Sequence, residues 1–368
     1  MIEVFGPTYR YNGEVLTEPE IICVTDHCYN EDEQCFHVKT LMENSACDPK
    51  KHVLVFDHVN HDDELSEYHT ICLPIFLAAE TKEFLDQKIQ VDWLTKTTTF
   101  NFMINKPRKG RQFLLALIEH FDLQNYSHAL AWKNITFDKR SLKSTMQSEL
   151  YTKIVDNATG KIPVTDYRFG PETALDRGIK NGKFKNAETY LHLLKKTVFE
   201  PSCISLISEP SLFEKETIHT EKTLMAFYGG TFPIWVGGWK LASYARQMGF
   251  DVFDDIIDHS YEHYQDPWDR AYYAIEKNLL LLRDFDRAKY LSQQNLSRFQ
   301  HNVDHIESNP FLKDCMSKIE TYQDPIRSKL LSISRHFRYN CFEKQISMQL
   351  LGERISETGE KYGLQSRG

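Results

Sequence analysis

Two apolar runs flank a helix-like stretch in the middle of this chain, and they organise its reading. Cys203-Ile204-Ser205-Leu206-Ile207 is a buried-strand pattern that leads into the polar residues Ser208-Glu209-Pro210-Ser211. Thr220 then offers an N-cap, Glu221 and Lys222 fall in a first helical turn, and Gly229-Gly230 stops the helix. Phe232-Pro233-Ile234-Trp235-Val236 follows as a second buried strand. The spacing predicts a strand–loop–helix–strand crossing over residues 203–237.

Similar patterns recur upstream. His52–Phe56 is a compact apolar run ending at Asp57-His58, and Thr70–Leu77 is another, read as a strand ending near Glu80. Polar groups clustered past two such strands suggest the carboxyl-end crevice of an open α/β sheet. Phe100–Ile104 reads as a short strand and residues 105–111 as a basic turn. Phe113, Leu114, Leu117, Ile118 and Phe121 then repeat at helical spacing. Residues 133–190 show only weak alternation broken by Gly160, Gly170 and Gly182, so loops and short elements are expected there. Phe250-Asp251-Val252-Phe253 reads as a further strand-like piece. From about Asp269 the pattern turns helical, with Tyr272, Tyr273, Ile275, Leu279 and Leu282 on one side, and stays so to about residue 350. The polar residues 355–368 are expected to fray.

At 368 residues the chain exceeds one ordinary core, and two domains are the natural division. Fifty-two acidic against 44 basic residues leave a net charge of −8, which argues against a broad grip on nucleic acid. No stretch approaches the roughly 20 apolar residues of a membrane span, and Met1–Phe5 lacks the basic-then-apolar order of a signal peptide. Eight cysteines are too dilute for a disulfide scaffold, which points to a reducing cytoplasm. Cys23, His27, Cys28, Cys35 and His37 lack the paired spacing of a zinc site and are read as ordinary residues. The run Leu279–Leu282 is read as core packing of a C-terminal helix, ahead of an oligomer or membrane contact.

The chemistry concentrates at two turns. A lysine at the positive end of a helix calls for an anionic partner, and a diphosphate would satisfy Lys222 while Glu221 accepted from a ribose. Arg108 and Arg111 lie between a strand end and a helix start, and their planar forks suit phosphate oxygens. Taken singly, each turn also reads as a solvated charged segment.

Residues 203–237 resemble the donor-binding signature of the α1,3-fucosyltransferases. In that family a strand ending Phe-Glu-Asn-Ser leads to Tyr-(Ile/Val)-Thr-Glu-Lys, a helix and Gly-(Thr/Val)-Val-Pro-Val. Here Ser208-Glu209-Pro210-Ser211, His219-Thr220-Glu221-Lys222 and Gly230-Thr231-Phe232-Pro233-Ile234 stand in those places. Asn105, Arg108 and Arg111 resemble an Asn-x-x-Arg-x-x-Arg turn of related viral and bacterial sugar transferases. The resemblance implies two facing Rossmann-like domains, the arrangement called GT-B. By it, residues 1–98 form the acceptor side, 99–265 bind the sugar nucleotide, and 266–368 form a helical C-terminal extension. It also implies that Lys222 and an arginine of the basic turn hold the diphosphate, that Glu221 holds the ribose, and that Glu209 faces the sugar. Ser211 and Thr220 complete the donor-side set. Pro210 replaces the family's Asn, and the loop before Thr220 is longer, both on the sugar side.

These features predict an inverting glycosyltransferase of the cytoplasm of a bacterial or virus-infected cell. It would use a GDP- or UDP-linked sugar, without a metal or other cofactor, to modify a hydroxyl of a glycan or other acceptor. By the same resemblance, the base that removes the acceptor proton is expected after a hydrophobic strand of the first domain, where Glu80 is the first candidate and Asp57 and His58 its rivals. A phage-type DNA glycosyltransferase acting on a hydroxymethylated base and a non-catalytic nucleotide- or glycan-binding protein are the alternatives.

Overall fold

The computed structural model describes residues 2–5, 20–24, 52–56, 59–60, 69–74, 77–78, 81, 90–104, 108–131, 137–160, 198–209, 212, 216–217, 219–321 and 327–328. Within them the chain is α/β, with parallel sheets and many helices. In chain order the elements are β1 (Ile2–Phe5), β2 (Glu20–Val24), β3 (His52–Phe56), β4 (Val59–Asn60), β5 (His69–Cys72), β6 (Thr98–Ile104), α1 (Lys109–His120) and β7 (Ser127–Ala131). They continue with α2 (Lys139–Lys143), α3 (Glu149–Asn157), β8 (Ser202–Ser208), β9 (Glu216–Thr217), α4 (Glu221–Tyr228), β10 (Phe232–Val236) and α5 (Leu241–Gln247). After a 3₁₀ turn at Ser260–His263 come α6 (Pro267–Glu276), α7 (Leu279–Leu282), α8 (Phe285–Gln294), α9 (Leu296–Glu307) and α10 (Pro310–Glu320).

One parallel sheet runs β1-β2-β3-β5 and the other β10-β8-β6-β7. In the second, the chain leaves β6 toward β7 and then returns to place β8 on the other side of β6. That reversal makes the β6/β8 junction the switch point, the position where open α/β sheets leave a crevice at their carboxyl ends. Every residue of β8 and β10 is buried, as strands covered on both faces require. One face of the sheet packs Phe113, Leu114 and Leu117 of α1 together with Ile154, Trp268, Ile275 and Ala288. The other packs Leu224, Met225 and Phe227 of α4 with Ala242, Phe250, Val303 and Ile306.

Two contacts tie the segment before β6 to this unit. Trp93 Nε1 donates to Tyr228 O at 2.8 Å, and the fully buried Lys96 Nζ donates to Gly229 O at 2.8 Å. Together they satisfy carbonyls that the end of α4 leaves bare. Gly230 sits at φ +60 beneath the indole, where an added Cβ would meet Trp93 Cδ1 at 2.6 Å. Separately, β4, just past β3, pairs antiparallel with β9, just before α4.

Three expectations are corrected. The Thr70–Leu77 run is not one strand: β5 ends at Cys72, and Leu77, Ala78 and Thr81 are helical, because Pro74 cannot donate to a ladder and sits where the chain turns into helix. Phe250–Phe253 is not a strand. Its donors are taken elsewhere, Asp251 N by Asn302 Oδ1 and Phe253 N by Asp251 Oδ1, and Phe253 has φ +62, outside the strand region. The Leu279–Leu282 run is core only in part: Leu281 and Leu282 are buried while Leu280 is 79% exposed. The helical pattern holds through Glu320, and Arg327-Ser328 are helical. Cys23 lies in β2, whereas His27, Cys28, Cys35 and His37, residues 161–197 and residues 329–368 lie outside the described residues. Among the described residues, no helix is long and apolar enough to cross a membrane.

Candidate functional site

The crevice over β6 and β8 is bounded by the starts of α1 and α4. Arg108 is the N-cap residue of α1, with extended backbone at φ −65 and ψ 148 and no side-chain cap. Arg111, in the first turn, is 6% exposed, and its Nε has no hydrogen-bond partner among the described residues. Burial above all, and then the like charge of Arg108, hold its guanidinium down to about 10. The carboxylates of Glu209 and Glu221 act in the opposite sense, so both turns face one region.

Glu209, directly after β8, is the hub. Its Oε1 accepts from Thr220 N at 3.1 Å and lies within hydrogen-bond distance of Thr223 Oγ1 at 3.0 Å, and its Oε2 lies 2.7 Å from Thr220 Oγ1. Lys222 Nζ lies 3.8 Å from Glu209 Oε2 and 3.6 Å from Glu221 Oε1, and donates to Thr220 Oγ1 at 2.9 Å. Thr220 caps α4 as expected, accepting from Lys222 N at 3.4 Å. Burial pushes the Glu209 carboxyl above the usual carboxylate range, against the pull of Lys222. Gly237 makes this packing feasible, since a Cβ there would meet Glu209 Cβ at 2.8 Å.

Behind the hub lies a second layer. Thr223 Oγ1 accepts from Trp235 Nε1 at 2.9 Å and lies 3.0 Å from His219 Nδ1, while His219 Nε2 faces the Leu241 carbonyl at 2.9 Å. The His219 ring stacks on Tyr244, and burial lowers its imidazole to about 4. Arg270, 3% exposed, gathers the surrounding loops. It donates to Leu212 O at 2.5 Å, Gly237 O at 3.0 Å and Tyr264 O at 3.1 Å, with Trp239 5.9 Å from its guanidinium carbon.

The structure thus brings Arg108, Arg111, Glu209, Thr220, Glu221 and Lys222 to one crevice. The acidic groups nearest Lys222 Nζ among the described residues are Glu209 and Glu221 of the chain itself. Glu80, Asp57, His58 and Ser211 lie outside the described residues. The β4·β9 pairing sets the residues just past Asp57-His58 beside the loop that enters α4. Sequence reasoning missed Thr223, Trp235 and Arg270, and gave His219 no chemical part. A helical i, i+3 reading from Thr220 would have flagged Thr223, but nothing local signals that Arg270 reaches Leu212 from 58 residues away.

Comparison with known protein families, with curated proteins and with solved structures returns no match for this chain.

Proposed function

We propose that this protein is a glycosyltransferase that holds the diphosphate of a nucleotide sugar between the starts of α1 and α4. The carrying observation is the buried Arg111 guanidinium, whose unpartnered Nε lies at a helix start beside a second, lysine-bearing helix start. A buried guanidinium N–H without an acceptor among the described residues costs stability, and an anionic ligand would supply that acceptor. In this reading Arg108, Arg111 and Lys222 neutralise charge on the departing diphosphate. Glu221 meets the ribose, and Glu209 organises the loop beneath the sugar. The β4·β9 pairing supports the idea that the first sheet presents the acceptor opposite this crevice in a GT-B arrangement. An inverting transfer would then draw its base from Glu80, Asp57 or His58.

The test is a thermal-shift screen against GDP, UDP, CDP and their sugar conjugates, followed by assays of donor hydrolysis and transfer. A concentration-dependent rise in Tm with one nucleotide, lost in Arg111→Met, is expected. No shift with any of them would overturn the proposal. Binding without hydrolysis or transfer would instead assign a nucleotide-binding protein without turnover.

A further inference from the structure

The loop leading into α4 contains a hydrogen-bond chain whose protons can be counted. The Leu241 carbonyl only accepts, so His219 Nε2 at 2.9 Å carries a hydrogen. A neutral His219 therefore has a bare Nδ1, which must accept from Thr223 Oγ1 at 3.0 Å. The Thr223 hydroxyl owns one hydrogen and already accepts from Trp235 Nε1. With that hydrogen committed to His219, Thr223 presents only a lone pair to Glu209 Oε1, 3.0 Å away. An ionised carboxylate there would oppose lone pair to lone pair, whereas a carboxylic acid donates.

We propose that His219, a positioning residue acting through Thr223, keeps a proton on Glu209, so that the floor of the crevice is a neutral carboxyl group when an anion is seated above it. The role assigned to the anion rests on the diphosphate reading above; the proton count does not. Burial acts in the same direction on both groups, disfavouring imidazolium at His219 and carboxylate at Glu209. The charged groups facing Glu209 are Lys222 and Glu221 from α4 and Arg111 from α1, with Arg108 beside Arg111. Those facing His219 are the Tyr244 phenol stacked on it and, across Trp235, His259. Among these described groups, a neutral Glu209 leaves three cations against the single carboxylate of Glu221, a balance suited to a multiply charged anion.

Infrared difference spectroscopy of the ligand-free protein at neutral pH tests the proton directly. A neutral carboxyl band present in the parent and absent from Glu209→Gln is expected. It should be lost in His219→Phe, where the Thr223 hydroxyl is free to serve a carboxylate. His219→Gln should restore it, since its amide can accept from Thr223 and donate to Leu241. No band in the parent that Glu209→Gln removes would overturn the proposal, and that comparison does not require His219→Phe to fold. Calorimetry with inorganic pyrophosphate tests the consequence. His219→Phe should weaken binding on the order of tenfold, the effect of one restored negative charge in a partly screened site. In the Glu209→Gln background the same change should have no such effect, and an equal loss in both backgrounds overturns the proposal. A carboxyl band without pyrophosphate binding would retire the diphosphate reading and leave the proton assignment standing; binding without the band would do the reverse.

Discussion

Replacing Arg111 with methionine should make the ligand-free protein more stable while abolishing the proposed binding of a nucleotide diphosphate. Methionine keeps much of the side-chain volume and deletes the charge. In the folded chain the guanidinium is held down to about 10, mainly by burial. At roughly 1.36 kcal/mol per pKa unit, that lowering from the ordinary guanidinium value is about 3 kcal/mol against the ionised form. The attraction of Glu209 and Glu221 is already included in that balance. Some packing is lost, so a net gain of about 1–3 kcal/mol is expected, or roughly 2–6 °C in Tm. Urea unfolding followed by circular dichroism measures the stability, and titration calorimetry with GDP and UDP measures binding. An Arg111→Met protein that unfolds more easily than the parent, or that binds nucleotide unchanged, would refute the reasoning that this cation is kept for a ligand.

Other expectations follow from the same geometry. Burial lowers the Lys96 ammonium to about 7, so between about pH 7 and the ordinary lysine value near 10.4 the unfolded chain binds a proton that the folded chain does not. This group's contribution therefore makes stability rise with pH across that window; the gain is lost as pH falls toward 7, and Lys96→Met should flatten the slope in pH-dependent thermal melts. Thr220→Ala removes a helix cap and the bridge between Lys222 and Glu209, and should cost about 1 kcal/mol in urea unfolding while weakening nucleotide binding. Gly237→Ala should displace Glu209, lowering nucleotide affinity more than it lowers Tm, because the added methyl meets Glu209 Cβ. Arg270→Leu strands the Leu212 and Gly237 carbonyls, and should cost about 1–3 kcal/mol for each acceptor left buried and unpaired.

The unit β8–α4–β10 was legible in the sequence because its signals are local: unbroken apolar runs, a threonine cap and a glycine stop. The β6–α1 turn was legible for the same reason, and both cationic turns came from these two crossings. The elements that escaped include β1, β2, β4, β7, β9, α2, α3 and α5, none longer than nine residues; α3 buries only Tyr151, Ile154 and Val155. Phe250–Phe253 misled because apolar residues buried in a loop share the composition of a strand, and only side chains such as Asn302 reveal where the backbone donors go. Lys222 looked like a cation in want of an anion. Its nearest carboxylates, Glu209 and Glu221, were in plain view in the same motif, but their distances come only from folding. His219 was silent because its meaning depends on a carbonyl 22 residues away.

The Trp93 and Lys96 strap has a practical consequence for anyone trimming this protein. A fragment starting at residue 99 would look like a clean cut at a strand, yet it would discard the donors that close the end of α4 and uncover Gly230. Nor would retaining residue 90 onward suffice, for Asn309 Nδ2 donates to the Ala78 carbonyl at 3.2 Å and Leu77 and Ala78 share a core with Phe311. Truncations that keep the crevice over β6 and β8 intact should therefore carry the chain from before Leu77 through α10.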